Sequence, residues 1–323
     1  MSLICVRSCF GRALNLRFVA VCALLVAAPA RADFEFVALG DTAYNGEKDY
    51  PPYEALIDLI NDTAPAFSIH VGDIWGAGTC EDWHLQVVAR FFERYQQPVV
   101  YTPGDNEWVD CDNPGMGGFD PMERLDKLRE VFFADAASLG AKPMALVRQG
   151  DLSEAHGKLV ENARWQRDNV LFVTAHVPGS RNNANHHSLA ALQEFALRNA
   201  GNVAWLNDSF RLAAEGEMAA VVITIHAELF DSDPYVLGPY GDTIRAIREG
   251  AARFARPVLL IHGDFHKFVI DRPFLVVHGE EELPDHANIT RLQVYGAPEI
   301  RAVKVTVQPE TAWVFGFQPL FVE

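Results

Sequence analysis

Short apolar runs that end in Gly-Asp alternate with amphipathic segments in the first part of the chain. Three such runs are FEFVALGD (34–41), AFSIHVGD (66–73) and PVVYTPGD (98–105). Their length and their β-branched and aromatic residues predict strands. A helix is predicted where Leu56, Leu59 and Ile60 recur at helical spacing, and two more are predicted over 83–95 and 121–133. Strands separated by helices indicate βαβ units and a largely parallel sheet.

The second half of the chain adds more strands than helices. Residues 143–172 predict several short strands, and two helices are predicted over 188–200 and 202–215. The runs at 219–226 and 256–264 have the continuous apolar character of buried strands. Four later runs predict an antiparallel meander: 267–277, 289–296, 301–309 and 311–318. Because no Pro/Gly/Ser-rich linker divides this pattern, we expect one compact α/β domain with two packed mixed β-sheets flanked by helices.

The N-terminal segment has the features of a secretory signal. Arg7, Arg12 and Arg17 precede the apolar run FVAVCALLVAAPA, and Ala30-Arg31-Ala32 fits a cleavage site. A basic region, an apolar stretch and an A-x-A site predict a signal peptide over residues 1–32. The apolar run is short for a membrane span, which needs about 20 residues. We therefore expect a secreted or periplasmic protein that has no membrane span once the signal is cleaved.

Charge and cysteine content change the picture once that segment is set aside. Removing its four arginines shifts the formal net charge from −16 to −20. Such a surface argues against nucleic-acid binding, which needs clustered Lys and Arg. Cys80 and Cys111 remain after cleavage. In an oxidising compartment they predict one disulfide, and a pair of unlinked thiols is the alternative.

Candidate metal ligands follow five of the predicted strands. These residues are Asp41, Asp73, Asp105, His226, Asp264 and His266. One Gly-Asp after a strand is an ordinary turn. Ligands in open α/β sheets, however, bind in the crevice at the carboxyl ends of the strands, where all five strand ends would meet. Four carboxylates gathered there would raise one another's pKa unless a cation lay between them.

The mixture of carboxylates and imidazoles indicates which ions would bind. This donor set suits Mn, Fe, Zn or a similar divalent ion, and its many oxygens also suit Ca. If one carboxylate bridged two ions, the site would activate a water and clamp a phosphoryl group. The sequence therefore predicts two divalent or trivalent metal ions as cofactors.

The order of these motifs resembles that of the calcineurin-like metallophosphoesterase family, which includes the purple acid phosphatases. The resemblance spans nearly the whole chain from Phe34 and implies a metallophosphoesterase domain over residues 33–323. It implies that Asp41 and His266 hold one metal and that Asp73 bridges the two. It further implies that the second metal is held by three residues: Asp105, His226 and Asp264.

Several residues depart from the family pattern. Ala43 stands where many members have a metal-binding His, and Tyr44 lies close enough in sequence to contact the metal or the substrate. Purple acid phosphatases carry their tyrosine after the second Asp, where this chain has Gly76. The third motif reads GDNE rather than GNHE, which leaves open whether Asp105 or Asn106 is the ligand. Asn106 takes the catalytic histidine's place and is a catalytic candidate by that position, although an amide cannot act as a general acid.

Candidates for substrate contact lie after the strand LFVTAH. His176 ends that strand and is the catalytic candidate for protonating the leaving group. It also fits the V-x-x-H spelling of the purple acid phosphatase fourth motif, although the strand before His226 favours the latter as the ligand. Arg181, Asn182 and Asn183 follow in a donor-rich turn and would bind the substrate phosphate, or else form a solvated loop.

Two hypotheses of function follow. The first is a secreted or periplasmic phosphoesterase that hydrolyses a small phosphorylated substrate, a mono- or diester, with metal-activated water. The second is a non-catalytic metal- or ligand-binding protein of the same fold, because Ala43 and Asn106 remove one ligand and one acid. A serine hydrolase is disfavoured because no G-x-S-x-G motif follows a strand.

Overall fold

A computed structural model describes residues 32–76, 78, 80–230, 233–273 and 288–322. The signal peptide predicted over residues 1–32 lies outside the described residues except for Ala32. The strand predicted over 267–277 lies outside them from residue 274 onward. Within the described parts of the chain, no helix combines the length and apolar character that crossing a membrane requires.

The described residues contain both strands and helices in alternation. The strands are β1 (Phe34–Leu39), β2 (Ser68–His70), β3 (Val99–Tyr101), β4 (Val147–Arg148), β5 (Ala163–Arg167), β6 (Val170–Thr174), β7 (Ala220–Thr224), β8 (Val258–His262), β9 (Val269–Asp271), β10 (Ile289–Gln293), β11 (Ala302–Val307) and β12 (Phe315–Leu320). The helices are α1 (Tyr50–Thr63), α2 (Asp82–Arg94), α3 (Pro121–Phe132), α4 (Gln149–Leu152), α5 (Gly179–Asn182), α6 (Leu189–Glu215), α7 (Pro234–Leu237) and α8 (Gly241–Phe254). Single 3₁₀ turns cover Gly46–Lys48, Val109–Asp112, Pro114–Met116, Glu154–His156 and Gly238–Tyr240.

These strands form two mixed sheets, which confirms the predicted architecture. One sheet has the order β12-β11-β1-β2-β3 and the other the order β4-β5-β6-β7-β8-β10-β9. In the first sheet β1, β2 and β3 run parallel, with Leu39 opposite His70 and His70 opposite Tyr101. In the second sheet β6, β7, β8 and β10 run parallel. Parallel strands in register end at one edge, so the residues that follow them are brought together there.

The two sheets pack face to face, and helices cover their outer faces. Side chains of β1 alternate, so that Phe36 points between the sheets while Val37 faces the helices. Phe36 contacts Phe172 of β6 edge-on, with ring centroids 5.5 Å apart. Helices α1, α2 and α3 pack on the five-stranded sheet, and α6 and α8 pack on the seven-stranded sheet. The strand ends that carry the candidate ligands are therefore anchored by apolar packing on both faces.

Two sequence expectations about the fold are wrong. The later strands do not form one meander, because β9 and β10 join one sheet while β11 and β12 join the other. β10 even runs parallel to β8. The two helices predicted over 188–200 and 202–215 are one continuous helix, α6. A Cβ atom at Gly201 would lie 2.2 Å from Leu159 Cδ1, so this glycine lets Leu159 pack against the helix instead of ending it.

Candidate metal centre

The candidate ligands occupy tight turns at the strand ends. Asp41, Asp73, Asp264 and His266 all have left-handed backbone conformations, with φ between 50° and 77°. The turns after β1 and β2 are tied together, since the Asp41 amide donates to the Gly72 carbonyl at 3.0 Å. Left-handed residues other than glycine cost free energy, and they persist where surrounding contacts fix them. Such residues cluster at functional sites, and four of the six predicted ligands share this conformation.

Two groups of ligand atoms form at this edge. Asp41, Asp73 and His226 make the first group, and Asp105, His226 and Asp264 make the second. In each group the ligand atoms lie within 4.8 Å of one another. His226 belongs to both groups: its Nε2 lies 3.3 Å from Asp73 Oδ1, 3.1 Å from Asp105 Oδ1 and 3.9 Å from Asp264 Oδ1. The structure thus brings four of the six predicted ligands around the imidazole of a fifth, His226.

The two histidines are oriented as metal ligands are. His226 Nδ1 lies 2.7 Å from the Val71 carbonyl, to which it donates, so that Nε2 faces the carboxylates. This buried Nε2 makes no well-aligned hydrogen bond. His266, the sixth predicted ligand, has the same pose, with Nδ1 3.1 Å from the Ala297 carbonyl and Nε2 3.6 Å from Asp41 Oδ1. A carbonyl on one ring nitrogen that frees the other is the usual support of a metal-bound histidine.

The electrostatics of the centre also call for a cation. Burial raises the pKa of Asp41 to about 7 and that of Asp264 to about 6. Burial likewise raises the pKa of Asp73 well above its ordinary value. Burial opposes the charged form of His226, but Asp73 and Asp105 outweigh it and raise the pKa of the imidazole. Protons therefore supply the positive charge that the carboxylates need, in a place where divalent ions can supply it instead.

The residues present fit metal ions. The donor set mixes carboxylates with imidazoles, and Asp41 Oδ2 and His226 Nε2 are buried atoms without a hydrogen-bond partner. Unpartnered buried polar atoms are uncommon, and a missing ion is one of their standard explanations. This edge of the sheets could hold one ion at each group of ligand atoms.

Tyr44 packs into the centre beside Asp73. Its ring covers Gly76 so closely that a Cβ atom there would lie 1.8 Å from the ring. Its hydroxyl donates to Asp73 Oδ2 at 3.1 Å, and its ring meets that of His266 edge-on with centroids 4.5 Å apart. Tyr44 thus fills the space over Gly76, the position at which purple acid phosphatases carry their own tyrosine. Its predicted contact with substrate stays a prediction.

Asn106 faces Asp73 rather than the second group of ligands. Its Nδ2 lies 2.6 Å from the Tyr44 hydroxyl, 2.9 Å from Asp73 Oδ2 and 2.9 Å from the Trp75 carbonyl. Its backbone N–H donates to Asp73 Oδ1 at 3.2 Å. Between the two candidates of the third motif, Asp105 therefore joins the ligand group and Asn106 orients Asp73. The catalytic role predicted for Asn106 stays a prediction.

Glu107 holds the turn of the third motif. Its Oε1 accepts from the Tyr101 hydroxyl at 2.6 Å and from the Gly104 amide at 2.7 Å. Cys111 follows shortly after and forms a disulfide with Cys80, with Cα atoms 5.8 Å apart. The predicted bridge is thus present, and it links the loops that follow the second and third motifs.

Ser180 and Asp110 contact the centre, and neither contact was predicted from the sequence. The Ser180 hydroxyl lies 2.8 Å from Asp105 Oδ2 and 2.6 Å from Asp110 Oδ1. The neighbouring Gly179 amide donates to Asp105 Oδ1 at 3.1 Å. Ser180 lies 75 positions from Asp105 and 70 from Asp110 in the chain, so no local pattern links it to them. The donor-rich turn after His176 was the available signal.

His176 is buried away from the ligand groups. Its Nδ1 lies 3.0 Å from Glu161 Oε1, and Arg129 binds the same oxygen at 2.7 Å. Burial lowers its pKa, and the ionic groups that act on it are Glu161, Arg198 and Glu194, none of which is a candidate ligand. This imidazole is fully buried and belongs to neither ligand group. Its predicted role as a proton donor stays a prediction.

The asparagines of the turn after His176 are buried, contrary to the solvated-loop alternative, whereas Ser180 is exposed and Arg181 is half-buried. Asn182 Nδ2 donates to the Pro239 carbonyl at 3.3 Å, and Asn183 Nδ2 donates to Glu194 at 2.8 Å. Both asparagines are almost completely buried. The Arg181 guanidinium instead lies over the Tyr235 ring, 3.6 Å from its centroid. Among the residues that the structure describes, no hydrogen-bond partner is seen for the Arg181 side chain, unlike those of the two asparagines. Binding to phosphate stays a prediction for all three residues.

A cavity of about 560 Å³ opens beside Asp105. Its wall includes Asp110, Phe119, Ser180, Arg181, His187 and Tyr235. Ser180 both lines this cavity and hydrogen-bonds to Asp105 through its hydroxyl group. The volume is that of a small-molecule site.

Comparison with known proteins identifies a matching family and solved structures of similar fold. The model of the calcineurin-like phosphoesterase family matches residues 34–206, more than half of the chain. No curated protein matches the sequence significantly. A crystal structure of a dimetal phosphatase from Danio rerio is similar in fold, with a TM-score of 0.56, 11% identity and coverage of 90% of this chain and 99% of that one. GAP50, named as the anchor in the inner membrane complex of Plasmodium, has a TM-score of 0.49 at 10% identity, with 90% and 89% covered.

Proposed function

Because the chain belongs to the calcineurin-like phosphoesterase family, we propose that it is a metal-dependent phosphoesterase. It would hydrolyse a phosphate mono- or diester with water at a dinuclear metal centre. The observation that carries this proposal is the pose of His226. Its Nδ1 is fixed by the Val71 carbonyl, and its free Nε2 faces carboxylates of both ligand groups. Such a pose favours metal ligation over a structural hydrogen bond.

The proposal assigns the ligands to two ions. Asp41 and His266 would hold one ion, and Asp105, His226 and Asp264 the other, with Asp73 between the two ions. Bound ions in such a centre activate water and stabilise charge on the phosphate oxygens. Asp105 and Asp264 supply anionic oxygens where the family pattern has neutral ligands, which favours hard ions such as Mn, Fe or Ca alongside Zn.

The chain's own residues would position the substrate. The cavity beside Asp105 would hold the organic part of a small phosphorylated molecule, and Arg181 in its wall would attract the anionic group. The formal net charge of −16 for the chain disfavours nucleic acid as a substrate. The Asn106 amide is too weak an acid to protonate a leaving group. The assignment therefore favours substrates with a good leaving group unless His176 becomes accessible.

We propose that the protein acts in the periplasm or outside the cell. The support is the predicted signal peptide over residues 1–32 together with the disulfide between Cys80 and Cys111. Disulfides of this kind persist in oxidising compartments. Mass spectrometry of the exported protein should show an N-terminus at Asp33, and a cytosolic full-length chain would contradict the proposal.

Hydrolysis assays test the proposed activity. Mature protein is freed of metal, supplied separately with Mn, Fe, Zn or Ca, and given para-nitrophenyl phosphate or its bis ester. We expect metal-dependent turnover that falls at least about 100-fold in Asp73→Asn, because this carboxylate belongs to the ligand set. Asp58→Asn, a change at a carboxylate whose side chain is 66% exposed, is the matched control and should keep wild-type activity. Full activity of Asp73→Asn, or activity that survives chelation, would refute the proposal.

A non-catalytic metal-binding protein is the second candidate. Ala43 and Asn106 stand where the family places a ligand and a catalytic histidine, and the nearest alternative, His176, is fully buried. The number of bound metal ions and the rate of hydrolysis, measured together, separate the two candidates. Two ions per chain with turnover would favour the enzyme, and one ion or none without hydrolysis of either ester would favour the binding protein.

A further inference from the structure

The segment from His176 to Asn183 links β6 to α6 and touches the second ligand group from two sides. The Val177 carbonyl accepts from the His226 and Ala227 amides at 3.2 and 2.9 Å. Gly179 and Ser180 donate to the two carboxylate oxygens of Asp105 at 3.1 and 2.8 Å. The position of this segment therefore sets the position of both Asp105 and His226.

The same segment adopts a costly backbone conformation. Ser180, Arg181, Asn182 and Asn183 have φ of 43°, 57°, 57° and 57°, four consecutive left-handed residues without a glycine. Each such residue costs on the order of 1 kcal/mol relative to an ordinary conformation. The turn persists because contacts from elsewhere in the fold fix it.

Arg198 of α6 contacts both ends of the segment. Its Nη1 donates to the His176 carbonyl at 3.1 Å, and its Nη2 donates to the Asn182 carbonyl at 3.0 Å. Its Nε donates to Glu194 Oε1 at 2.6 Å, and the side chain is 1% exposed. One guanidinium therefore holds both ends of the segment, and Glu194 balances its charge. We call this arrangement the Arg198 clamp.

Tyr240 supports the segment from the opposite side. Its hydroxyl donates to the Pro178 carbonyl at 3.0 Å and accepts from the Asn182 amide at 2.9 Å. Other contacts hold the residues outside the second ligand group: Asn106 fixes Asp73, and the Ala297 carbonyl fixes His266. The Arg198 clamp thus acts on Asp105 and on His226, which the two groups share, and leaves Asp73 and His266 to different elements.

We propose that Arg198 is a positioning residue for one metal ion, the ion at Asp105, His226 and Asp264. It fixes the turn whose Gly179 amide and Ser180 hydroxyl orient Asp105, and it touches neither an ion nor a substrate. The inference rests on the proposed function, since it requires that the Asp105 group binds an ion. A planar guanidinium can donate in two directions at once, and a lysine ammonium at the end of a flexible stem cannot reproduce this.

Metal titration of the folded protein tests the inference without an activity assay. Metal-free wild type and Arg198→Lys are titrated with Mn²⁺ in a calorimeter, and bound metal is counted by mass spectrometry. The same change is also made in an Asp41→Asn background, in which the Asp105 group alone keeps its full ligand set. Arg164→Lys is the matched control, because Arg164 is also largely buried and pairs with Asp208 without contacting the 176–183 segment.

We expect Arg198→Lys to weaken one of two binding steps by about 10- to 100-fold, the range found for residues that support metal ligands. The affinity of the other binding step should stay unchanged. The melting temperature of metal-free Arg198→Lys should match that of metal-free Arg164→Lys. The loss should persist in the Asp41→Asn background. If Arg198→Lys does not fold, Tyr240→Phe decides the question, with an expected loss of about 10-fold in the same step.

Three results would overturn the inference. Unchanged affinities for both ions would show that the Arg198 clamp does not position Asp105. Equal loss at both steps, with a lower melting temperature of the metal-free protein, would show a merely structural role. Failure of the wild type to bind a second ion would refute the proposed dinuclear centre as well, which distinguishes it from the first two results.

Discussion

Replacing Gly179 with alanine gives a direct test of the ligand geometry. A Cβ atom there would lie 2.4 Å from Asp105 Oδ1 and 2.7 Å from Asp264 Oδ1, whereas ordinary contact begins near 3.4 Å. The two carboxylates must therefore retreat by about 1 Å, several times the tolerance of about 0.2 Å in metal–ligand distances. Because φ at Gly179 is not left-handed, alanine adds no backbone strain. We expect the affinity for one ion to fall by about 100-fold.

Calorimetric titration of the metal-free protein with Mn²⁺ measures the effect. Gly263→Ala is the counterpart, since its Cβ atom would lie 2.3 Å from Asp41 Oδ2 and should weaken the other ion. Gly157→Ala is the control, because its Cβ atom would meet the Glu154 carbonyl at an ordinary 3.5 Å. If Gly179→Ala binds two ions with wild-type affinity, Asp105 and Asp264 do not form an ion site together.

Two further predictions concern stability. Burial raises the pKa of Asp41 to about 7 and of Asp264 to about 6 from 3.8, so the folded state binds these protons more tightly than the unfolded state does. This contribution is complete below about pH 4 and is lost as the pH rises through 6 to 7. The melting temperature of the metal-free protein should therefore fall over that range, and Mn²⁺ should prevent the fall; a flat profile without metal would contradict the burial of these carboxylates. Replacing Cys80 and Cys111 with serine should cost about 3–4 kcal/mol in urea-induced unfolding, because the bridge closes a loop with a sequence separation of 31. Unchanged stability would show that the bridge is absent in solution.

Local sequence patterns were sufficient for the candidate ligands. Asp41, Asp73 and Asp105 follow strands whose apolar runs are plain in the sequence, and parallel pairing in register brings their ends to one edge. His226 and Asp264 follow strands of the second sheet in the same way. The position of a ligand after a buried strand depends on short-range order, which the sequence carries.

Contacts that depend on long-range order were missed. Ser180 meets Asp105 through a left-handed turn formed without glycine, which no propensity rule favours. His176 ends a strand as the other candidates do, yet it pairs with Glu161 inside the protein. The parallel pairing of β10 with β8 likewise joins residues that adjoin in space and not in sequence. In each case the outcome depends on packing partners that lie far away along the chain.

Residues of the Arg198 clamp also line a second cavity. Away from the metal centre, Arg198, Arg129 and Glu194 line a separate cavity of about 380 Å³, together with Leu125 and Leu197. Thermodynamic linkage then constrains any small molecule that occupies this cavity and displaces Arg198. If the molecule changes the affinity for the ion at Asp105 by some factor, the ion must change the affinity for that molecule by the same factor. The metal centre and this cavity would then belong to one thermodynamic cycle.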